Sequence, residues 1–191
     1  MIMKKIAWMV ALTLFTVFSG CAQAQVKKVA AKHKILIAYY SWSGNTRFMA
    51  QQIQQLTGGD LFEIVPVTAY TSDYDSCCAI AKEQIEAGFK PQLKGQVKDM
   101  AQYDMVIVGS PCWWGTIAPP VKSFLTSGDF KGKTVVPFMT HGGSGMGESE
   151  KDIKALCPGS TLLKGLPIYG SSVKDCRGKV EAWLKEQRII K

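Results

Sequence analysis

One short passage limits this chain more than any other. A β-type apolar run, Lys34-Ile35-Leu36-Ile37-Ala38-Tyr39-Tyr40, breaks directly into Ser41-Trp42-Ser43-Gly44-Asn45-Thr46 and then into a helical pattern. A strand, a loop of hydroxyls and glycine, and a helix in that order describe a pocket for a phosphate group. Ser41, Ser43 and Thr46 bring side-chain hydroxyls to a helix N-terminus, where unpaired backbone N–H groups and the positive end of the helix dipole both favour an anion. Gly44 lets the backbone approach a ligand closely. Read alone, the same residues describe an ordinary helix cap with Ser or Asn at its head.

The type of phosphate ligand is also constrained. Neither the dinucleotide fingerprint G-x-G-x-x-G nor the P-loop G-x-x-x-x-G-K-[ST] is present at this turn. The loop has no lysine to reach a β- or γ-phosphate, and Arg47 lies just inside the helix. Hydroxyls and amides without a cation suit a single terminal phosphate, and hence a mononucleotide.

Beyond this turn, apolar runs alternate with helical patterns. Strands are predicted over Asp60–Val65, Tyr103–Gly109, Thr134–Met139 and Leu162–Tyr169, the last interrupted by Gly165. Helices are predicted over Tyr74–Phe89, Pro119–Leu125, Glu148–Leu156 and Val173–Arg188. Continuous apolar strands joined by helices imply an α/β fold whose parallel sheet is covered on both faces. Ligands in such sheets sit beyond the carboxyl ends of the strands, where the strand order reverses.

Two more loops at that edge are unusual. The third strand leads into Ser110-Pro111-Cys112-Trp113-Trp114-Gly115-Thr116, and the fourth into Thr140-His141-Gly142-Gly143-Ser144-Gly145. Adjacent tryptophans on a loop offer an aromatic face to a planar ligand. The glycines permit backbone N–H groups to approach ring carbonyls, although a flexible turn has the same composition. Asp73, Tyr74 and Asp75 follow the second strand and could rim the site without any specific signal of their own.

The amino terminus reads as a targeting segment. Met1–Lys5 carries two lysines, and Ile6–Phe18 is apolar but short for a bilayer. Phe18-Ser19-Gly20-Cys21 resembles a lipobox in which Cys21 becomes the lipid-modified first residue. Ala22-Gln23-Ala24 also has the form of a soluble-export cleavage site. Either reading takes the mature chain out of the cytoplasm, with residues 1–24 as signal, 25–33 as linker and 34–191 as one domain. Removing residues 1–24 takes away Lys4 and Lys5 and no acidic residue, so the formal charge falls from +8 to +6. The basic residues are scattered and no aromatic-rich basic motif accompanies them, which argues against nucleic-acid binding.

The three loops in order, S-x-S-G-N-T, S-P-x-W-W-G-T and T-H-G-G-S-G, resemble those of flavodoxins, specifically an exported bacterial branch, over Lys34–Gln187. The resemblance implies a flavodoxin-like three-layer sandwich with a five-stranded parallel sheet in the order 2-1-3-4-5, and FMN as cofactor. Ser41–Thr46 would hold the phosphate, and Ser110–Thr116 and Thr140–Gly145 would flank the isoalloxazine. Gly115 matches a position at which a peptide could turn its carbonyl toward the flavin. His141 would either stabilise a reduced anionic ring or fix the glycine loop through a backbone hydrogen bond.

Flavin chemistry makes an electron-transfer protein the first functional expectation, with redox proteins or small-molecule acceptors as partners. An NAD(P)H-dependent flavin or quinone reductase of the same fold is the alternative, and a flavin-free binding module the third. A basic, exported chain departs from the acidic cytoplasmic flavodoxins, so the partner does not follow by analogy.

Five cysteines follow Cys21. Strand polarity places Cys77, Cys78, Cys112 and Cys176 toward the cofactor edge and Cys157 at the far edge, so Cys157 is expected to be a free, buried thiol. Any intramolecular bridge is expected among Cys77, Cys78 and Cys112; otherwise all are ordinary small buried residues.

Overall fold

The computed structural model describes residues 33–191. The segments read as signal peptide and lipobox, with all but His33 of the linker, lie outside the described residues. Strands β1 (Ile35–Tyr39), β2 (Asp60–Glu63), β3 (Met105–Trp113), β4 (Thr116–Ile117), β5 (Thr134–His141), β6 (Thr161–Leu162) and β7 (Leu166–Tyr169) alternate with five helices. These are α1 (Asn45–Thr57), α2 (Tyr74–Glu86), α3 (Pro119–Ser127), α4 (Ser149–Leu156) and α5 (Arg177–Glu186). Among the described residues no helix is long and apolar enough to cross a membrane.

The sheet runs β2-β1-β3-β5, and then β6 and β7 lie end to end along β5. Taking β6 and β7 as one interrupted fifth strand, this is the expected order 2-1-3-4-5. All the pairings are parallel except that of β4, which folds back antiparallel on β3. The fifth strand splits for two local reasons. Pro137 of β5 stands opposite the gap and has no N–H for a ladder bond. The N–H of Gly165 is used elsewhere, donating to Glu150 Oε1 at 2.6 Å.

The period-two alternation of a strand divides the core between the two faces. Leu36, Ala38, Val106, Val108, Val135 and Met139 point to one side, against Val121, Phe124 and Leu125 of α3 and Ile153 of α4. Ile35, Ile37, Met105, Ile107, Val136 and Phe138 point to the other, against Met49, Ala50 and Ile53 of α1 and Val180, Trp183 and Leu184 of α5. Burial on both faces explains why these strands read as unbroken apolar runs.

Several boundaries differ from the sequence reading by a few residues, three of them for an identifiable local reason. Strand β3 continues past Gly109 to Trp113, because Ser110 and Pro111 stay in register with Met139 and Thr140 of β5. What reads as a loop is therefore a strand end and a tight hairpin at Trp114-Gly115. Helix α2 stops at Glu86 rather than Phe89, since Gly88 turns left-handed (φ 63°) and Phe89 N–H bonds back to the Gln84 carbonyl. The last helix starts at Arg177, and a 3-10 segment, Gly170–Asp175, occupies the stretch expected to be its first turn.

Candidate functional site: a phosphate cradle and an aromatic cleft

Where β1 ends and α1 begins, the chain prepares an anion site. Gly44 is the N-cap of α1 at φ 93°, in the left-handed region, and no side chain bonds to the exposed N–H groups of the first turn. The bland capping alternative is thus not the arrangement seen. The hydroxyl oxygen of Ser41 is buried and has no partner within the protein. A buried polar atom without a partner is costly, and one carried by a hydroxyl-and-amide loop fits a phosphate oxygen, although Ser41 itself lines neither of the spaces described below. Arg47 is turned away and pairs with Glu63. The third hydroxyl of the loop is already engaged: Thr46 Oγ1 lies 2.8 Å from Thr140 Oγ1, both residues being buried.

Beside this turn runs a cleft of about 310 Å³. Among the residues expected in the site, Trp42, Ser43, Asn45, Pro111, Cys112, Trp113, Thr140, His141 and Gly142 line it. A second cavity of about 440 Å³ shares the Trp42, Tyr74, Cys112 and Trp113 walls and takes in Trp114, Gly115 and Ser144. The two expected roles of the tryptophan pair therefore separate. Trp113 packs edge-on against Tyr40 and Tyr70, with ring centroids 5.6 and 5.0 Å apart, and faces both spaces. Trp114 lines only the second cavity and is half exposed.

Other expected site residues act as scaffold. Ser110 Oγ accepts from Ala118 N–H at 2.9 Å and donates to the Pro111 carbonyl at 2.8 Å, and it lines neither space. Thr116 bonds Asp152 and faces away from the cleft, toward a different surface hollow. The carbonyl of Gly115 accepts from Glu148 N–H at 2.7 Å, which ties the hairpin to the start of α4. Gly143 donates its N–H to His141 Nδ1 at 3.0 Å, and Gly145 sits in a left-handed turn. That bond fixes the glycine loop and leaves the imidazole proton on Nε2. Burial also lowers the His141 pKa, favouring the neutral ring.

Among the lining residues, Ala81, Tyr169, Gly170 and Ser171 escaped the sequence reading, whereas Tyr74 is at the rim and Cys77 and Cys78 at the edge where they were expected. Tyr169, Gly170 and Ser171 bring in a fourth loop, after β7, which carries no phosphate or aromatic motif. Tyr74, Cys77, Cys78 and Ala81 enter from α2. The signal for Tyr74 was Asp73, whose side chain caps α2 by accepting from Ser76 N–H and so sets Tyr74 in the first turn beside the site.

All five described cysteines are free thiols. Cys77, Cys78 and Cys112 line the second cavity. Cys157 and Cys176 are buried on opposite faces of the sheet, so no bridge can join them.

A parallel α/β sandwich with a phosphate cradle at its first βα turn and an aromatic cleft at the switch point defines a mononucleotide-binding protein. The flavodoxin family model matches residues 34–187, and the chain belongs to the flavodoxin family. It is similar to a putative flavoprotein from Bacteroides uniformis, at 32% identity over 80% of this chain and 98% of that one, with a TM-score of 0.70. A putative flavoprotein from Bacteroides eggerthii is 30% identical over 81% and 97% of the two chains, TM-score 0.68. A flavoprotein from Lactobacillus acidophilus, solved in complex with FMN, is 28% identical over 75% and 97%, TM-score 0.62. No curated protein matches the sequence.

Proposed function

We infer that this flavodoxin is an FMN-binding electron-transfer protein that works outside the cytoplasm. The observation that carries the FMN reading is the buried, partnerless Ser41 hydroxyl beside the uncapped first turn of α1, a donor set matched to one terminal phosphate. The FMN complex of the Lactobacillus acidophilus relative supports the same cofactor. Bound FMN supplies reversible one- and two-electron chemistry. The protein's part is to hold it. Ser41 and the α1 amides bind the phosphate, Trp113 and His141 border the ring, and the Gly143–His141 bond keeps the glycine loop in place.

A carrier is favoured over an NAD(P)H-dependent reductase by the lining of the two spaces. Neither contains a lysine or arginine to pair with the phosphates of a second nucleotide. Purified protein should be yellow, and mass spectrometry should find FMN as the released cofactor. Stoichiometric FAD, or a colourless protein that takes up no FMN, overturns the reading.

Export and a membrane tether through lipidated Cys21 rest on the Lys4-Lys5 head, the apolar Ile6–Phe18 run and the Phe18–Cys21 lipobox, with the Ala22–Ala24 site as the soluble alternative. Its partners are redox proteins or small-molecule acceptors met there. Fatty-acid labelling that appears in the wild type and vanishes in Cys21→Ser supports the tether; an unlabelled wild type leaves soluble export.

A further inference from the structure

The surface hollow that Thr116 faces opens between the end of α2, strand β4 and helices α3 and α4. None of its lining residues lines the cleft or the second cavity, so it is separate from the flavin site. At about 310 Å³ it lies within the range of small-molecule sites, roughly 300–1,000 Å³. Most of its wall is apolar, with Ile85, Phe89, Ile117 and Leu156 as the larger side chains. Phe89 is 49% exposed, and its N–H bonds to the Gln84 carbonyl at 2.8 Å, so the end of α2 fixes an apolar ring in a position open to water.

Two half-buried groups of opposite charge interrupt this lining, Lys122 of α3 and Asp152 in the first turn of α4. They form no ion pair with each other, and Lys122 Nζ has no ion-pair partner or hydrogen-bond acceptor among the described residues. Lys133 and Lys154 show the alternative, donating to the carbonyls of Tyr103 and Ser160 at 2.7 and 3.0 Å. Lys122 reaches the end of α2, where a Cβ on Gly88 would come within 3.6 Å of its Nζ, without bonding there. Asp152 is half engaged. Its Oδ2 accepts from the Thr116 hydroxyl, and its Oδ1 has no partner among the described residues. Partly desolvated charges left apart are unfavourable, and a molecule that meets both of them offsets that cost.

We propose that this hollow is a binding site for an α-amino acid with an apolar side chain. The carboxylate pairs with Lys122 Nζ, the ammonium with Asp152 Oδ1, and the side chain packs on Ile85, Phe89, Ile117 and Leu156. A simple carboxylic acid would bring a second negative charge to Asp152, and a simple amine a second positive charge to Lys122. The two charges together therefore select a zwitterion. The site stands whether or not the phosphate cradle holds FMN.

The test uses the full chain, loaded with FMN, and L-phenylalanine as probe. Three analogues each lack one feature: 3-phenylpropionate the ammonium, 2-phenylethylamine the carboxylate, and glycine the apolar body. In calorimetry the wild type should bind L-phenylalanine saturably and each analogue about tenfold more weakly or worse. Lys122→Met should weaken L-phenylalanine about tenfold and abolish its advantage over 2-phenylethylamine. Asp152→Asn, which keeps an acceptor for Thr116, should abolish its advantage over 3-phenylpropionate. Phe89→Ala should weaken both aromatic acids alike. FMN affinity should stay within about twofold of wild type in Lys122→Met and Phe89→Ala, since neither residue lines a flavin space. The analogue series on the wild type needs no variant and decides by itself if one fails to fold. No saturable binding of L-phenylalanine, an analogue that binds as tightly, or binding that survives both charge variants overturns the proposal. Displacement of FMN by L-phenylalanine also overturns it, by placing the amino acid in the flavin cleft.

Discussion

The hydroxyls of Thr46 and Thr140 meet at 2.8 Å inside the protein, joining the first turn of α1 to the end of β5. This bond links the phosphate turn to the glycine loop across the switch point, and it gives Thr46 a partner other than the ligand. Thr46→Val should therefore destabilise the apoprotein by about 1–3 kcal/mol, because Thr140 is left buried and unpaired. The double variant Thr46→Val/Thr140→Val should recover much of that loss. Urea denaturation of the wild type, the two single variants Thr46→Val and Thr140→Val, and the double variant measures the coupling. Additive losses would mean that the two hydroxyls do not interact.

Ser41 carries the buried hydroxyl left for the phosphate, beside the exposed one of Ser43. Ser41→Ala should weaken FMN by about 1.5–3 kcal/mol, the usual worth of a hydrogen bond to a charged group, and leave riboflavin affinity unchanged. Titration of apoprotein with each flavin separates the two contributions. Equal losses for both would move the phosphate away from Ser41.

His141 should respond to acid in a definite direction. Burial holds its pKa below the ordinary 6.5, so in the window below 6.5 the unfolded chain takes up a proton that the folded chain refuses. The stability from neutral His141 is complete above pH 6.5 and is lost as pH falls through 6.5 toward the folded value. Protonation also converts Nδ1 from acceptor to donor and breaks its bond from Gly143 N–H. NMR should find the Nε2–H tautomer at neutral pH and a Gly143 amide shift that follows the His141 titration. A Gly143 amide indifferent to that titration would refute the link.

The thiols should divide by burial. Cys157 is fully buried with its pKa pushed up to about 11, and burial also raises that of Cys176. At pH 8 a thiol reagent should label Cys78 and Cys112, both partly exposed on the cavity wall, well before Cys157 or Cys176. Peptide mapping after brief labelling reads the order. Early modification of Cys157 would contradict its place in the core.

Lys34–Thr46 alone determined a great deal: a buried strand, a hydroxyl loop and a helix that together receive an anion. The apolar runs at Tyr103–Gly109 and Thr134–Met139 determined a sheet covered on both faces, since only strands buried twice lack polar alternation. The same local chemistry marked the loops carrying Trp113 and His141. It could not apportion donors among partners distant in sequence. Thr46 and Ser41 look alike in the chain, yet Thr140, 94 residues on, claims one hydroxyl and leaves the other. Nor could it foresee that Ser110 would brace a hairpin, or that Tyr169 would complete the cleft from a loop with no motif. The interruption of the fifth strand at Gly165 was legible, but that Pro137 of β5 faces it across the sheet was not. Periodicity and local turn chemistry are properties of neighbouring residues and can be read in order. The satisfaction of a buried polar group depends on which other group the fold brings within hydrogen-bond reach, and tertiary structure alone decides that.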